Sequence, residues 1–173
     1  MIGRETMTPF EMVESFHETF DNRKPKEPTP FSAEDASFRA GFKVEELVEF
    51  LYAACENDEE SFKESIKKLH HSIDQAYHKV ENKHRFVSDP LVDQVDALSD
   101  LLYFTYGSFS LVGVDPQPIL EIVHQANMKK LFPDGKPHYD PVTNKVMKPK
   151  NWEQEAAPEK KIKSELVRQR REK

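Results

Sequence analysis

The feature that most constrains this chain is an acidic triplet inside the mostly apolar stretch 38–55. At about 100° per residue, Glu45, Glu46 and Glu49 share one arc of a helix. Two phenylalanines of the stretch fall on the same side, which is unusual for a solvated face. Buried carboxylates lose hydration and repel one another, so they are normally paired or coordinate a metal ion. The stretch therefore predicts a helix whose acidic face meets either cations or a metal.

A second acidic row lies in residues 89–109, DPLVDQVDALSDLLYFTYGSF. Asp89 is the expected N-cap, and Asp93, Asp96 and Asp100 fall within an arc of about 60°. Aspartate is a poor residue for a helix interior, so three in one line need a reason. The sequence predicts a buried helix, because it is apolar almost all round. Its far side carries an apolar stripe of Leu91, Val95, Leu98, Leu102 and Tyr106.

Two facing carboxylate rows would form an all-oxygen site for Mg²⁺ or Mn²⁺, which take carboxylate and water ligands and bridge to phosphates. In the alternative interpretation the rows are ion-pair ladders to lysine and arginine, or face water. The apolar neighbours of both rows favour the metal site.

The ordered motifs of the chain resemble those of the MazG-like all-α nucleoside triphosphate pyrophosphohydrolases. Residues 45–49, EELVE, fit EExxE, and residues 93–96, DQVD, are a variant of ExxD with aspartate in place of the first glutamate. The segments DALSDLLYFTYG and HQANMKKL follow in the same order. The group also includes dimeric dUTPases and phosphoribosyl-ATP pyrophosphohydrolase. The resemblance spans roughly residues 10–152 and implies an all-α bundle of about four to six helices, completed by oligomerisation.

This resemblance implies Mg²⁺-dependent hydrolysis of a nucleoside triphosphate or related nucleotide to the monophosphate and pyrophosphate, by attack of water on phosphorus. The implied partners are the nucleotide and further copies of the chain, as a homodimer or homotetramer. The implied metal ligands are Glu46, Glu49, Asp93 and Asp96, with Asp100 as a further ligand or an orienting group. Glu45 would bind a second metal or accept the proton of water, so that Glu45 and Glu46 form the catalytic pair. Asn127, Lys130 and Lys148 would hold the nucleotide.

Several helix boundaries follow from capping signals. The sequence predicts helices that begin after Thr8, Ser32 and Asp115, the last running to about Leu131. Residues 57–85 carry a heptad-like apolar seam. The seam indicates either a hairpin helix packed within the chain, which is slightly favoured, or a dimer interface or an arm over the active site.

The turn residues within 132–152 predict a short hairpin or a loose loop. We expect a single domain over 1–152 and a charged tail over 153–173 that is either a frayed helix or disordered.

Composition excludes several functions. A formal net charge of -6 argues against nonspecific binding to nucleic acid or anionic membrane. The single cysteine, Cys55, excludes an internal disulfide, and no stretch has the apolar length of a membrane span or a signal core, so we expect a cytoplasmic protein. No phosphate-loop, dinucleotide or nucleophile-elbow motif is present. The rival hypothesis is a non-catalytic helical interaction protein whose acidic rows are salt-bridge networks.

Overall fold

The computed structural model describes residues 7–21, 23–83 and 86–172. This described part confirms the all-α prediction, with six helices of at least twelve residues and one helical turn of four. In chain order these are α1 (Pro9–Phe20), α2 (Ala33–Ala54), α3 (Glu59–Asn82), α4 (Pro90–Leu111), α5 (Pro116–Met128), the turn α6 (Trp152–Glu155) and α7 (Glu159–Arg171).

The helix starts are set by local capping chemistry. At α1 the Thr8 hydroxyl accepts from the Glu11 amide (3.3 Å), and the Glu11 carboxylate accepts from the Thr8 amide (2.7 Å). This reciprocal pair satisfies two amides that the helix itself leaves without partners. Side-chain caps also begin α2, α3, α4 and α5, at Ser32, Asp58, Asp89 and Asp115. The starts predicted for α1, α2 and α5 are thus confirmed.

One compact unit lies within Met1–Glu27 and Asp100–Lys173. Both α1 and α7 pack against α5 in it. Phe20 is only 1% exposed, and its carbonyl accepts a 2.7 Å hydrogen bond from the Tyr139 hydroxyl. At the start of α5, the side-chain amide of Gln169 on α7 accepts from the Asp115 backbone N–H (2.9 Å) and donates to the Asp115 carbonyl (3.0 Å). Of the two alternatives for the charged tail, the structure therefore shows the helix, docked along α5.

The second unit, Pro28–Ser99, is built on a hairpin of α2 and α3. The chain reverses at Glu56 and Asn57, whose φ angles of 48° and 70° are left-handed. The rings of Tyr52 and Phe62 then meet edge to face, with centroids 5.1 Å apart. The first half of α3 therefore packs within the chain, which is the alternative that the sequence slightly favoured.

The predicted burial of α4 is not found in the single chain. None of α2, α3 and α4 contains a buried residue. On the apolar stripe of α4, Val95, Leu98 and Leu102 are 52%, 42% and 57% exposed, and on α3 Ile73 and Tyr77 are also exposed. The prediction was wrong because apolar periodicity identifies a face that prefers to be covered but does not supply the element that covers it.

The segment after α5 departs slightly from expectation. α5 ends at Met128 rather than near Leu131, and the Lys130 amide donates to the Asn127 carbonyl (3.0 Å) in a closing turn. The following loop contains one isolated antiparallel bridge, between Tyr139 and Val146. On either side of the bridge, the Met147 amide donates to the His138 carbonyl and the Asp140 amide donates to the Lys145 carbonyl, both at 2.8 Å. The loop therefore contains a short hairpin, one of the two alternatives that the sequence offered. Within the described ranges, no helix has the length and apolar character needed to cross a membrane.

Candidate active site

The first acidic row lies in the middle of α2. The side chains of Glu45, Glu46 and Glu49 are exposed in the single chain. One to two turns before them, the rings of Phe38 and Phe42 make an edge-to-face contact with centroids 4.9 Å apart. The two phenylalanines that fall on the acidic side thus pack on each other, and the glutamates remain accessible to a ligand.

A lysine that the sequence did not single out lies one turn before this row. The Lys43 ammonium is half-buried and donates to the Arg39 carbonyl at 3.2 Å. Its burial lowers the pKa of Lys43, and the positive charge of Arg39 lowers it further. Because its ammonium bonds to the Arg39 carbonyl, one turn closer to the N-terminus of α2, Lys43 directs its charge away from the acidic row.

The second acidic row begins in the first turn of α4. Asp93 is half-buried, whereas Asp96 and Asp100 are exposed. Gln94, between them in sequence, is a residue that the sequence reasoning missed. Its amide accepts from the Phe31 backbone N–H (2.8 Å) and donates to the Phe31 carbonyl (3.0 Å). These two bonds attach the segment that leads into α2 to the start of α4, beside the predicted ligand Asp93.

The structure does not gather the predicted ligands into a ready metal cage. Among the residues that it describes, no group of three or more His, Cys, Asp or Glu side chains is placed to hold a metal ion. The two rows nevertheless offer only carboxylate oxygens, the hard donors that Mg²⁺ and Mn²⁺ prefer. The metal-ligand assignments of Glu46, Glu49, Asp93, Asp96 and Asp100 therefore stay predictions.

Two of the three predicted nucleotide-binding residues, Lys130 and Lys148, contact one tryptophan. Trp152 is 7% exposed, and its indole N–H donates to the Ala126 carbonyl at 2.9 Å, immediately before Asn127. The Lys130 ammonium lies 5.7 Å from the centroid of the Trp152 ring, at cation–π distance. Trp152, which begins α6, thus contacts both Ala126, the residue before Asn127, and Lys130, just after the end of α5.

The third predicted residue, Lys148, reaches the same ring from the loop. Its ammonium is 4.4 Å from the Trp152 ring centroid and donates to the Glu153 carboxylate at 2.8 Å. Sequence reasoning missed both Trp152 and Glu153. The available signal was that Trp152 is the only tryptophan in the chain and closes a lysine-rich loop.

Comparisons with known proteins agree with this reading of the motifs. The family model of phosphoribosyl-ATP pyrophosphohydrolase matches residues 13–127, a segment that includes both acidic rows and ends at Asn127. A solved structure of a candidate NTP pyrophosphohydrolase from Exiguobacterium sp. 255-15 is 38% identical in sequence, with a TM-score of 0.84. The alignment covers 97% of this chain and 99% of that chain. A search of curated proteins finds no match. The resemblance inferred from the motifs is confirmed.

Proposed function

Because the chain belongs to the phosphoribosyl-ATP pyrophosphohydrolase family, we propose that it hydrolyses a nucleoside triphosphate or a related nucleotide to the monophosphate and pyrophosphate. The observation that carries this proposal is the family match over residues 13–127, which spans every acidic residue assigned to the site. The 38% identity over nearly the whole length of a candidate NTP pyrophosphohydrolase supports the same reaction class.

Magnesium is the cofactor that the donor chemistry fits, with Mn²⁺ as a substitute. Glu46, Glu49, Asp93 and Asp96 would hold it through carboxylate oxygens. When bound, the ion neutralises phosphate charge and lowers the pKa of water. A chain of net charge -6 needs such neutralisation before it can accept a polyanion.

The remaining assigned residues handle the proton and the phosphates. Glu45 accepts the proton of the attacking water, a role that its exposed carboxylate on α2 can fill. Asp100 orients a ligand or adds one oxygen donor. Asn127, Lys130 and Lys148 bind the nucleotide, the lysines by donating hydrogen bonds to phosphate oxygens.

We also propose that the active form is a homo-oligomer, at least a dimer. The supporting observation is the amount of apolar surface that α2, α3 and α4 expose in the single chain, including Phe50 at 62%, Val80 at 69% and Leu102 at 57%. Large apolar side chains exposed in this number favour an interaction surface. A second copy of the chain is the occupant that the family resemblance implies.

The proposal is tested by pyrophosphate release from a panel of canonical and modified nucleoside triphosphates and phosphoribosyl-ATP, with Mg²⁺ or Mn²⁺. Glu46→Gln and Asp96→Asn should abolish hydrolysis but leave the fold intact, because each removes a ligand charge from an exposed position. Glu34→Gln, in the first turn of α2 and outside the row, is the matched control and should retain activity.

Two results would contradict the proposal. Metal-dependent turnover retained in both ligand variants would remove the acidic rows from the site. A parent protein that releases pyrophosphate from no member of the panel, and whose melting temperature does not respond to Mg²⁺ or Mn²⁺, would favour the non-catalytic interaction protein instead.

A further inference from the structure

The short hairpin after α5 leads directly into Lys148 and has little bonding of its own. It contains one antiparallel bridge, from Tyr139 to Val146, with one backbone hydrogen bond on either side of it. Lys148 is the second residue after this bridge, so its backbone position depends on where the hairpin lies. An isolated two-stranded hairpin is marginally stable in water, so contacts outside the hairpin must fix its place.

Two side chains attach the first strand of the hairpin to the rest of its unit. The Tyr139 hydroxyl donates to the carbonyl of Phe20, a buried residue at the end of α1, at 2.7 Å. The His138 ring stacks on that of Phe132 with centroids 4.0 Å apart and lies 2.8 Å from the Asp134 carboxylate. The bond of Tyr139 spans 119 residues, whereas that of His138 spans four. The Tyr139 hydroxyl is therefore the contact that ties the hairpin to a distant, buried element.

The second strand of the hairpin carries this attachment on to the lysine. The Met147 amide donates to the His138 carbonyl at 2.8 Å, which joins the two strands one residue before Lys148. The Lys148 ammonium lies 2.8 Å from the Glu153 carboxylate and 4.4 Å from the centroid of the Trp152 ring. A continuous set of contacts thus runs from the buried end of α1 through the hairpin to the Lys148 ammonium.

We propose that Tyr139 is a positioning residue that sets the place of Lys148 for the nucleotide by anchoring the hairpin to Phe20. The inference rests on the proposed function, in which Lys148 donates hydrogen bonds to phosphate oxygens. A lysine on an anchored segment binds more tightly than one on a loose segment, because less conformational entropy is lost on binding. Removing the Tyr139 hydroxyl therefore weakens nucleotide binding without changing any group that touches the nucleotide.

The test is a double-mutant cycle between Tyr139→Phe and Lys148→Ala. A non-hydrolysable nucleotide is titrated calorimetrically into each variant in the presence of Mg²⁺, well below the melting temperatures. Phenylalanine keeps the ring and removes only the hydrogen bond, so Tyr139→Phe should weaken binding about two- to tenfold. In the Lys148→Ala background the same change should cost less than about twofold, because the group that Tyr139 positions is already absent.

The emission of the single tryptophan gives a second readout, which needs no nucleotide. Because the Lys148 ammonium lies beside the Trp152 ring, Lys148→Ala should change this emission, and Tyr139→Phe should change it in the same direction. In the Lys148→Ala background, Tyr139→Phe should have no further effect on it. Should Tyr139→Phe fail to fold, His138→Ala takes its place in the cycle, since it removes the other attachment but keeps the carbonyl that Met147 uses.

Gln169→Leu is the matched control for destabilisation alone. The Gln169 side chain bonds to the Asp115 backbone at the start of α5, so this variant loses long-range hydrogen bonds of the same unit that do not involve the hairpin. It should melt at a lower temperature than the parent but keep the parental nucleotide affinity and tryptophan emission.

Failure of the inference is distinct from failure of the proposed function. A folded Tyr139→Phe with parental affinity and emission overturns the inference. Equal effects of Tyr139→Phe with and without Lys148 overturn it too, as does the same loss of affinity in Gln169→Leu. A parent that binds no nucleotide refutes the proposed function instead. The emission cycle then decides the rest: coupling between the two substitutions upholds the placement of Lys148 by Tyr139, and its absence overturns it.

Discussion

The double variant Leu98→Ala/Leu102→Ala is expected to weaken self-association strongly while the helix itself persists. The two leucines lie four residues apart on the apolar stripe of α4, and they are 42% and 57% exposed in the single chain. Alanine is the best helix former, so the substitutions do not oppose the α4 conformation. What they remove is apolar surface that the proposed second copy of the chain would cover.

The magnitude follows from the exposed fractions. Together the two side chains expose roughly one whole leucine, and full burial of a leucine is worth about 1.5 to 3 kcal/mol. In a two-fold dimer each substitution occurs twice, so about 3 to 6 kcal/mol of association free energy would be lost. Because about 1.4 kcal/mol corresponds to a tenfold change in Kd, even the lower value raises the dimer Kd about 100-fold.

Sedimentation equilibrium or light scattering from about 1 to 100 μM, a span that brackets common dimer affinities, would measure this Kd. The control is Val142→Ala, a residue of the loop after α5 that is 90% exposed and outside the stripe. Circular dichroism should show parental helix content in both variants. A double variant that associates as tightly as the parent, or a loss of association in Val142→Ala instead, would refute the assignment of the α4 stripe to the interface.

Four further outcomes are expected. Saturating Mg²⁺ or Mn²⁺, at about 100 times its Kd, should raise the melting temperature by about 5 to 10 °C, and Glu46→Gln should lose most of this rise. Lys148→Ala should weaken nucleotide binding but change the melting temperature by less than about 2 °C, because an exposed ion pair contributes little. Tyr139→Phe should lower the melting temperature by about 2 to 4 °C, the value of one hydrogen bond to the Phe20 carbonyl. Glu165→Gln should lower the melting temperature at neutral pH but not at strongly acidic pH.

The pH dependence has a defined sign. Hydrogen bonds from Arg168 and Gln169 lower the pKa of Glu165 from 4.5 to about 2. A carboxylate whose pKa falls on folding contributes stability that is complete above its unfolded pKa and is lost as the pH falls through the folded value. The difference in melting temperature between parent and Glu165→Gln should therefore be constant above about pH 5 and close towards pH 2.

Each of these outcomes can fail separately. If neither Mg²⁺ nor Mn²⁺ changes the melting temperature of the parent protein, the metal site is contradicted. If Lys148→Ala binds the nucleotide as tightly as the parent, Lys148 is not a nucleotide-binding residue. For Tyr139→Phe the control is Tyr103→Phe, which is 77% exposed, and equal effects in the two would exclude a specific bond to Phe20. A Glu165→Gln difference that persists at pH 2 would exclude titration of this carboxylate as its cause.

The helix starts could be predicted because the chemistry that fixes them is local. Thr8, Ser32 and Asp115 each accept from an amide two or three residues further on, so a short window of sequence contains both partners. The end of α5 was placed about three residues too late. Helix ends lack such an obligatory partner, and the lysines that follow Met128 are good helix formers that carry no stop signal.

The surroundings of the chemical side chains could not be predicted, because they depend on contacts between distant segments. The bond from Trp152 to Ala126 spans 26 residues, and the bonds from Gln94 to Phe31 span 63. Neither pair has a periodic or compositional signal in the sequence. The family resemblance predicted Lys130 and Lys148 as nucleotide-binding residues from the sequence. Only the structure shows that one indole ring lies beside both lysines.

The helix α4 shows why assembly and catalysis can be tested independently. At about 100° per residue, the arc of Asp93, Asp96 and Asp100 and the stripe of Leu98 and Leu102 lie on opposite sides of the helix. A second copy that covers the stripe would therefore leave the acidic arc uncovered and accessible to a cation. Leu98→Ala/Leu102→Ala should weaken self-association without changing the metal affinity of each chain. Asp96→Asn should weaken metal binding without changing self-association. If either substitution changed both quantities alike, the two sides of α4 would not be separate functional surfaces, and the assignment of one face to assembly and the other to metal would have to be abandoned.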